Sequence, residues 1–204
     1  MNKLVIFASG SGSNFLSIIN HITNGHLNAK IVGLITNKAE IGAIDIARQY
    51  GIPHCILSSA QFTNNKTYES ALLNQCVQWN PSLIICAGYL RKIPANLILA
   101  YPNRIINIHP SLLPKFGGHG FYGLHVHKSV LKSKETHTGC TIHIVSTEYD
   151  QGPILAQERL VVDPSESAEQ LAKRVLKLEH QLYPPHYQYH ISFLICLQSF
   201  LDIS

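Results

Sequence analysis

The strongest constraint on the fold is an alternation of short apolar runs with segments of helical periodicity. The first run, Lys3 to Ala8, ends in a Gly/Ser cluster and has the composition of a parallel strand that is buried on both faces. The next segment, Phe15 to Asn24, carries its apolar side chains three or four residues apart, which is the spacing of one helix face. The chain therefore opens with a strand, a glycine loop and a helix.

The same alternation continues to about residue 110. Strands are predicted at Lys30 to Thr36, His54 to Leu57, Pro81 to Ala87 and Arg104 to Ile108, and helices at Ile41 to Tyr50, Thr67 to Trp79 and Pro94 to Ala100. Strands that alternate with helices predict an α/β fold with a doubly wound, Rossmann-like and mostly parallel sheet and helices on both faces.

The rhythm changes after Pro110. A short helix is predicted at Val126 to Lys132, followed by two apolar strands at Thr138 to Val145 and Ile154 to Val162, and by a helix at Ser167 to Leu182 with Ser165 or Ser167 as its cap. Because a loop of few residues joins the two strands, we expect an antiparallel strand pair in the C-terminal half of the sheet.

Composition narrows the class of protein. Charged residues make up 14% of the chain, the net charge is +4, and no basic run is present, so nucleic acid is not an expected partner while a small anion is. The longest apolar run near the end, Ile191 to Leu197, is far shorter than the 18 or so residues of a membrane span, so we expect no membrane association. Five widely spaced cysteines without a CxxC pair favour reduced thiols and a cytoplasmic protein.

A glycine loop, Gly10 to Phe15, follows the first strand. Between a strand and a helix, such a loop points backbone N–H groups and the helix dipole at one spot, which favours an anion. Phe15 stands where a dinucleotide fingerprint has a small residue, and Asn37-Lys38 stands where that fingerprint has an acidic residue. The loop therefore predicts a site for a single phosphate, with a tight strand-to-helix turn as the alternative.

Asn107 and His109 lie at the end of a predicted strand and, being two residues apart, point to the same side of an extended chain. An amide and an imidazole on one side can act on the same substrate, although two polar residues that merely close a strand would show the same sequence pattern.

His125 and His127 are spaced like a ligand pair, but a third ligand is missing, so no metal site is predicted. His137 and His143 are expected to be surface or strand residues.

Four motifs together resemble the folate-dependent formyltransferases. They are Asn107-Ile108-His109-Pro110-Ser111-Leu112-Leu113-Pro114, Gly10-Ser11-Gly12-Ser13-Asn14, Ala87-Gly88-Tyr89-Leu90-Arg91 and Asp150-Gln151-Gly152-Pro153-Ile154, in the family's order. The resemblance implies transfer of a formyl group from the co-substrate 10-formyltetrahydrofolate to the amine of 5'-phosphoribosylglycinamide, in purine biosynthesis and without a metal. It also implies small-molecule partners only, and a monomer or homodimer.

The resemblance also assigns roles to residues. Catalysis falls to Asn107, His109 and Asp150. The residues that the resemblance assigns to binding the ribonucleotide and its phosphate are Ser11, Gly12, Ser13, Asn14, Gly88, Pro110 and Glu179. Those that it assigns to binding the folate are Leu90, Arg91, Lys92, Ile93, Val145, Glu148 and Tyr149. If Asp150 neighbours His109, we expect its charge to raise the imidazole pKa above the usual value of about 6.5.

The resemblance leads us to expect one formyltransferase domain over residues 1–204, with a nucleotide-binding half at about 1–110, the rest of the site at about 111–183 and an atypical tail at 184–204. The segment Lys115 to Leu124 is longer than in many members of the family and contains four glycines, which predicts a mobile flap beside the site.

Three alternatives to this function stay open. A formyltetrahydrofolate hydrolase would use the same Asn, His and Asp, with water in place of the amine. A formyltransferase could act on another amine. A noncatalytic module that binds a phosphoribosyl ligand at the Gly10 loop would leave Asn107 and His109 without a role.

Overall fold

One sheet of seven strands runs through the part of the chain that this computed structural model describes, residues 1–182. The strands are β1 (Asn2–Ala8), β2 (Ala29–Thr36), β3 (His54–Ile56), β4 (Leu83–Cys86), β5 (Ile105–His109), β6 (His137–Ile144) and β7 (Ile154–Val161). The helices are α1 (Ser13–Thr23), α2 (Gly42–Gln49), α3 (Asn65–Trp79), α4 (Ala95–Ala100), α5 (Leu124–Lys132) and α6 (168–182), with a 3₁₀ turn at Ser59–Gln61. None of the described helices is long and apolar enough to cross a bilayer.

The strand order is β3-β2-β1-β4-β5-β6-β7. The first five strands of this order are parallel, whereas β6 is antiparallel to both β5 and β7. The predicted fold class is therefore confirmed, including the antiparallel strands in the C-terminal half. The order reverses between β1 and β4, and in such sheets ligands bind in the crevice at the carboxyl ends of the strands on either side of this point.

The side chains of β1 show why the sheet has helices on both faces. Leu4 and Ile6 are fully buried in a cluster that also contains residues of α1, α2 and α6, whereas Val5 and Phe7 are fully buried in a second cluster with residues of α3 and α4. Successive side chains of a strand point to opposite faces, so an uninterrupted apolar run is what two covered faces require. The prediction for the first strand is confirmed.

Capping side chains set two helix boundaries. Helix α3 begins at Asn65, two residues before the predicted start, because the Asn64 side chain accepts a hydrogen bond of 3.0 Å from the Thr67 N–H. At α6 the Ser167 hydroxyl accepts from the Gln170 N–H at 3.2 Å, and the Gln170 side chain accepts from the Ser167 N–H at 2.7 Å. This reciprocal pair identifies Ser167 as the cap. The predicted tail at 184–204 lies outside the described residues.

Candidate active site

Every residue that the sequence predicts for the site lines one cavity of about 710 Å³. The cavity lies at the carboxyl ends of β1, β4 and β5, which is the crevice that the strand order predicts. The Gly10 loop, the segment after β4 and the end of β5 thus meet in one place, and the loop between β6 and β7 adds Asp150. The position of these residues agrees with the predicted site, and their individual roles stay predictions.

Four polar side chains that line the cavity form a connected group. His109 Nδ1 lies 3.5 Å from Asp150 Oδ2, and Asp150 Oδ1 lies 3.4 Å from His143 Nε2. His143 Nε2 also lies 3.1 Å from Asn107 Nδ2. Asn107 and His109 come from β5, His143 comes from the neighbouring strand β6, and Asp150 comes from the loop that follows β6. The fold therefore joins residues that are separated by about forty positions in the sequence.

Asp150 is held in place by the backbone of its own loop and by a second loop. Its φ of 54° lies in the left-handed region, which Asp adopts more readily than most residues. A side chain at Gly152 would collide with the Ile144 carbonyl oxygen, so only glycine allows the loop to lie this close to β6. The Asp150 carboxylate accepts a hydrogen bond of 2.9 Å from the Gly118 N–H.

The imidazole of His109 lies between two acceptors. Its Nε2 is 2.7 Å from the Phe116 carbonyl oxygen, and its Nδ1 faces the Asp150 carboxylate. Burial lowers the pKa of His109, and this effect outweighs the raising effects of the Asp150 charge and the Phe116 carbonyl, with His143 lowering the pKa further. The expectation that Asp150 would lift this pKa above its usual value is therefore wrong, because the ring is only 4% exposed and desolvation dominates.

The carboxylate of Asp150 is favoured in its charged form. Burial by itself would raise the pKa of Asp150, but the hydrogen-bond contact with His143, the His109 charge and the Gly118 N–H together hold the pKa below its usual value. A charged carboxylate therefore faces His109 across the pH range in which the protein would work.

His143 is a site residue that the sequence analysis missed. It lies in a strand, as predicted, but it is 2% exposed, and its ring contacts both Asn107 and Asp150. In the β5–β6 ladder Asn107 pairs directly with His143. The alternation of β6 could have indicated an inward side chain, but only the register between the two strands reveals its partner.

The Gly10 loop is packed tightly against the start of α2. Gly12 has a φ of 80°, and a Cβ at this position would lie 2.8 Å from Ala43 Cα, so glycine is needed for both reasons. The Ala43 N–H donates to the Gly10 carbonyl at 3.2 Å. Helix α1 begins directly afterwards at Ser13, which points its N-terminus into the cavity.

Asn14 and Glu179 form a buried pair beside this loop. Asn14 Nδ2 donates to Glu179 Oε2 at 2.7 Å, and the contact joins α1 to α6. Burial raises the pKa of Glu179 to about 7, although the hydrogen bond from Asn14 opposes that rise. Two of the residues predicted for the ribonucleotide thus contact each other as well as the cavity.

The segment after β4 forms the other half of the cavity. Leu90 is 44% exposed, whereas Ile93 is only 6% exposed and packs in the core cluster of α3 and α4. The Ile93 side chain is therefore mainly a core residue that reaches the cavity wall. Tyr149 lies between two side chains at the rim, with Lys92 Nζ 5.4 Å from its ring centroid and the His119 ring 5.7 Å away.

The predicted flap, 115–124, lies beside the group of four polar side chains. Its Phe116 carbonyl contacts His109 and its Gly118 N–H contacts Asp150, so it touches both members of that pair. Its mobility stays a prediction.

In α5, which follows the flap, His125 is exposed and His127 is buried with a pKa lowered to about 4 by burial. Within residues 1–182 no three His, Cys, Asp or Glu side chains form a possible metal site.

Comparisons with known proteins identify the family of this chain. The domain family described as formyl transferase matches residues 2–186. The chain is 44% identical to the chloroplastic phosphoribosylglycinamide formyltransferase of Arabidopsis thaliana over 182 residues. This aligned region covers 89% of this chain and 62% of the plant protein. It is 35% identical to the phosphoribosylglycinamide formyltransferase of Bacillus subtilis, with 90% of this chain and 92% of that protein covered.

Solved structures give the same result. The phosphoribosylglycinamide formyltransferase of Bacillus halodurans superimposes with a TM-score of 0.85 at 34% identity, covering 94% of this chain and 95% of that one. A formyltetrahydrofolate deformylase from Pseudomonas syringae superimposes with a TM-score of 0.82 at only 20% identity, which shows a shared fold and no more. The chain spans less than two thirds of the plant relatives but nearly all of the Bacillus proteins. We conclude that this chain belongs to the formyl transferase family.

Proposed function

We propose that this chain transfers the formyl group of 10-formyltetrahydrofolate to the amine of 5'-phosphoribosylglycinamide. The observation that carries the proposal is a single cavity with three parts side by side. They are the glycine loop that leads into α1, the group of Asn107, His109, Asp150 and His143, and the open segment at Leu90 with its apolar side chain. A phosphorylated amine fits the first part, acyl transfer chemistry fits the second, and a flat heterocycle fits the third. Relatives named for this activity support the assignment.

Asn107 supplies the donor for the developing oxyanion. Attack of the amine nitrogen on the formyl carbon forms a C–N bond and places negative charge on the formyl oxygen. The His143 ring fixes this amide in place, with Nε2 3.1 Å from Asn107 Nδ2 and Nδ1 3.0 Å from the Ile144 carbonyl oxygen, so that one amide hydrogen of Asn107 faces the ring. The second amide hydrogen of Asn107 remains for the substrate.

His109 and Asp150 handle the protons. Collapse of the tetrahedral intermediate breaks the bond between the formyl carbon and the folate nitrogen, which must take up a proton, while the attacking amine must lose one. An imidazole beside a carboxylate, at 3.5 Å, can take up the proton that the amine loses and deliver a proton to the folate nitrogen. Burial disfavours the charged imidazole more strongly than the Asp150 charge favours it, so the pKa of His109 is lowered and the ring begins the reaction neutral, as a base for the amine proton.

The two halves of the cavity hold the two substrates. The phosphate binds at the N-terminus of α1, to the loop residues Ser11, Gly12, Ser13 and Asn14. Glu179 is protonated below a pH of about 7, so it can donate to or accept from the ribose hydroxyls. Gly88 and Pro110 complete the ribonucleotide side. Leu90, Arg91, Lys92 and Ile93 bind the folate from one wall, and Val145, Glu148 and Tyr149 bind it from the other.

The remaining assignments are part of the same proposal. One domain carries the whole activity, no metal takes part, and the protein acts in the cytoplasm as a monomer or homodimer. Among the residues that the structure describes, the four cysteines form no disulfide, which is consistent with a reducing compartment.

Steady-state assays of tetrahydrofolate formation test the function. The purified protein is given 10-formyltetrahydrofolate alone, with 5'-phosphoribosylglycinamide, or with glycinamide, which has the same amine without the phosphoribosyl group. We expect turnover with the ribonucleotide and at least a hundredfold less in the other two samples. Equal turnover without any amine would indicate a hydrolase, and binding of the ribonucleotide without turnover would indicate a noncatalytic module. A scan of other phosphorylated amines tests the choice of acceptor.

A further inference from the structure

Ser9, directly after β1, connects the Gly10 side of the cavity to the segment after β4. It follows the last residue of β1, is 2% exposed and lines the cavity. Its N–H donates to the Gly88 carbonyl at 3.1 Å, and its hydroxyl oxygen accepts from the Leu90 N–H at 3.0 Å. The same hydroxyl donates to Asn37 Oδ1 at 2.6 Å. The carboxyl ends of β1, β2 and β4 are thus joined through one buried side chain.

The direction of these hydrogen bonds shows that Asn37 orients the Ser9 hydroxyl. A serine hydroxyl has one hydrogen and two lone pairs, and its hydrogen can rotate toward any nearby acceptor. Asn37 accepts that hydrogen, so a lone pair of Ser9 Oγ is directed at the Leu90 N–H. Asn37 stands where a dinucleotide-binding sheet has an acidic residue, and here this position orients Ser9 instead.

The segment that Ser9 holds is open to solvent. Leu90, Arg91 and Lys92 are exposed, and the Arg91 side chain reaches outward to the Ser59 hydroxyl at 2.9 Å. The Gly10 loop, in contrast, has its own attachment to α2 through Gly10 and Ala43. Loss of the Ser9 hydroxyl therefore removes the attachment of the Leu90 N–H and leaves the attachment of the Gly10 loop in place.

We infer that Ser9, oriented by Asn37, is a positioning residue for the formyl donor. It fixes the height of the Leu90–Ile93 backbone above the sheet, so that this backbone presents its polar groups to the folate ring. The inference rests on the proposed function, because it takes this segment as the folate wall. The hydroxyl serves donor binding selectively and has no part in binding the ribonucleotide.

The test compares Ser9→Ala with Ser17→Ala by isothermal titration with tetrahydrofolate and by KM measurements. Ser17, on α1, is also a buried serine, but its hydroxyl donates to the His180 carbonyl of α6 at 3.4 Å, away from the segment after β4. Ser9→Ala leaves a Leu90 N–H without its acceptor, so we expect the Kd for tetrahydrofolate to rise about five- to a hundredfold. The KM of the ribonucleotide should stay within about twofold of the wild type, and Ser17→Ala should leave both constants unchanged.

A second variant keeps the inference testable if Ser9→Ala does not fold. Asn37→Ala removes the acceptor that orients the Ser9 hydroxyl and retains the hydroxyl itself, so it should weaken tetrahydrofolate binding by a smaller factor in the same direction. Wild-type affinity for tetrahydrofolate in the folded variants, or an equal loss for both substrates, would overturn the inference. A wild-type protein that does not bind tetrahydrofolate would instead contradict the proposed function.

Discussion

Replacement of Glu179 by Gln should change how the stability of this protein depends on pH. Glu179 is 6% exposed, and Asn14 donates a hydrogen bond to it at 2.7 Å. Glutamine has nearly the same volume and keeps an oxygen that can accept from Asn14, but it cannot ionise. The substitution therefore removes a buried titratable group and keeps its packing and its hydrogen bond.

The sign and the size follow from the raised pKa. Burial holds the pKa of Glu179 at about 7 in the folded state, against an ordinary value of 4.5. The folded state consequently binds more protons than the unfolded state between these values, and the stabilisation that is present below pH 4.5 is lost as the pH rises through about 7. From about pH 5 to about pH 8.5 the wild type should lose about 2–3 kcal/mol relative to Glu179→Gln.

Urea unfolding followed by circular dichroism at several pH values measures this difference. His109, His127 and His180 also have lowered pKa values, but their contributions are common to both proteins and cancel in the comparison. Glu40→Gln, at an exposed position, serves as the matched control and should follow the wild-type pH dependence. Parallel stability curves for the wild type and Glu179→Gln would refute the reasoning and would mean that Glu179 is ionised when buried.

Three further predictions concern the reaction. Asp150→Asn should lower the turnover number about a hundredfold with little change in either KM, and should move the pH limb of His109 to lower pH because the charge that favours the imidazolium is gone; normal turnover would exclude Asp150 from the mechanism. Ser13→Ala should raise the KM of the ribonucleotide about five- to a hundredfold with an unchanged folate KM, and equal changes in both would point to a collapsed loop. Leu90→Asp should raise the folate KM selectively, and a rise in the ribonucleotide KM alone would reverse the two half-sites. Leu90 is a better position for this test than Ile93, because an aspartate at the buried Ile93 would also destabilise the core.

Local signals account for the parts of the fold that could be predicted. A strand buried on both faces must be apolar throughout, as Leu4 to Ala8 is, and a glycine at the start of α1 is needed where Gly12 has a φ of 80°. The two-residue spacing of Asn107 and His109 is a property of β5 alone. Such features are written in consecutive residues and are visible without any tertiary contact.

Long-range features could not be predicted in the same way. His143 reaches Asn107 through the register of β5 with β6, and register depends on contacts across the sheet. The pKa of His109 is decided by how deeply the ring is buried, so a sequence argument that saw only the neighbouring Asp150 charge gave the wrong net direction. Asp150 itself was assigned from a resemblance, since nothing in its loop indicates which histidine it faces.

The fate of a labelled formyl group tests the central claim most directly. The protein is mixed with 10-[¹³C]formyltetrahydrofolate and 5'-phosphoribosylglycinamide, and the carbon resonance is followed by NMR together with the release of tetrahydrofolate. We predict that the label appears as an amide on the acceptor nitrogen at the rate at which tetrahydrofolate forms, with no formate, and that His109→Gln suppresses both signals together. Appearance of the label as free formate, at a rate independent of the amine, would contradict the account.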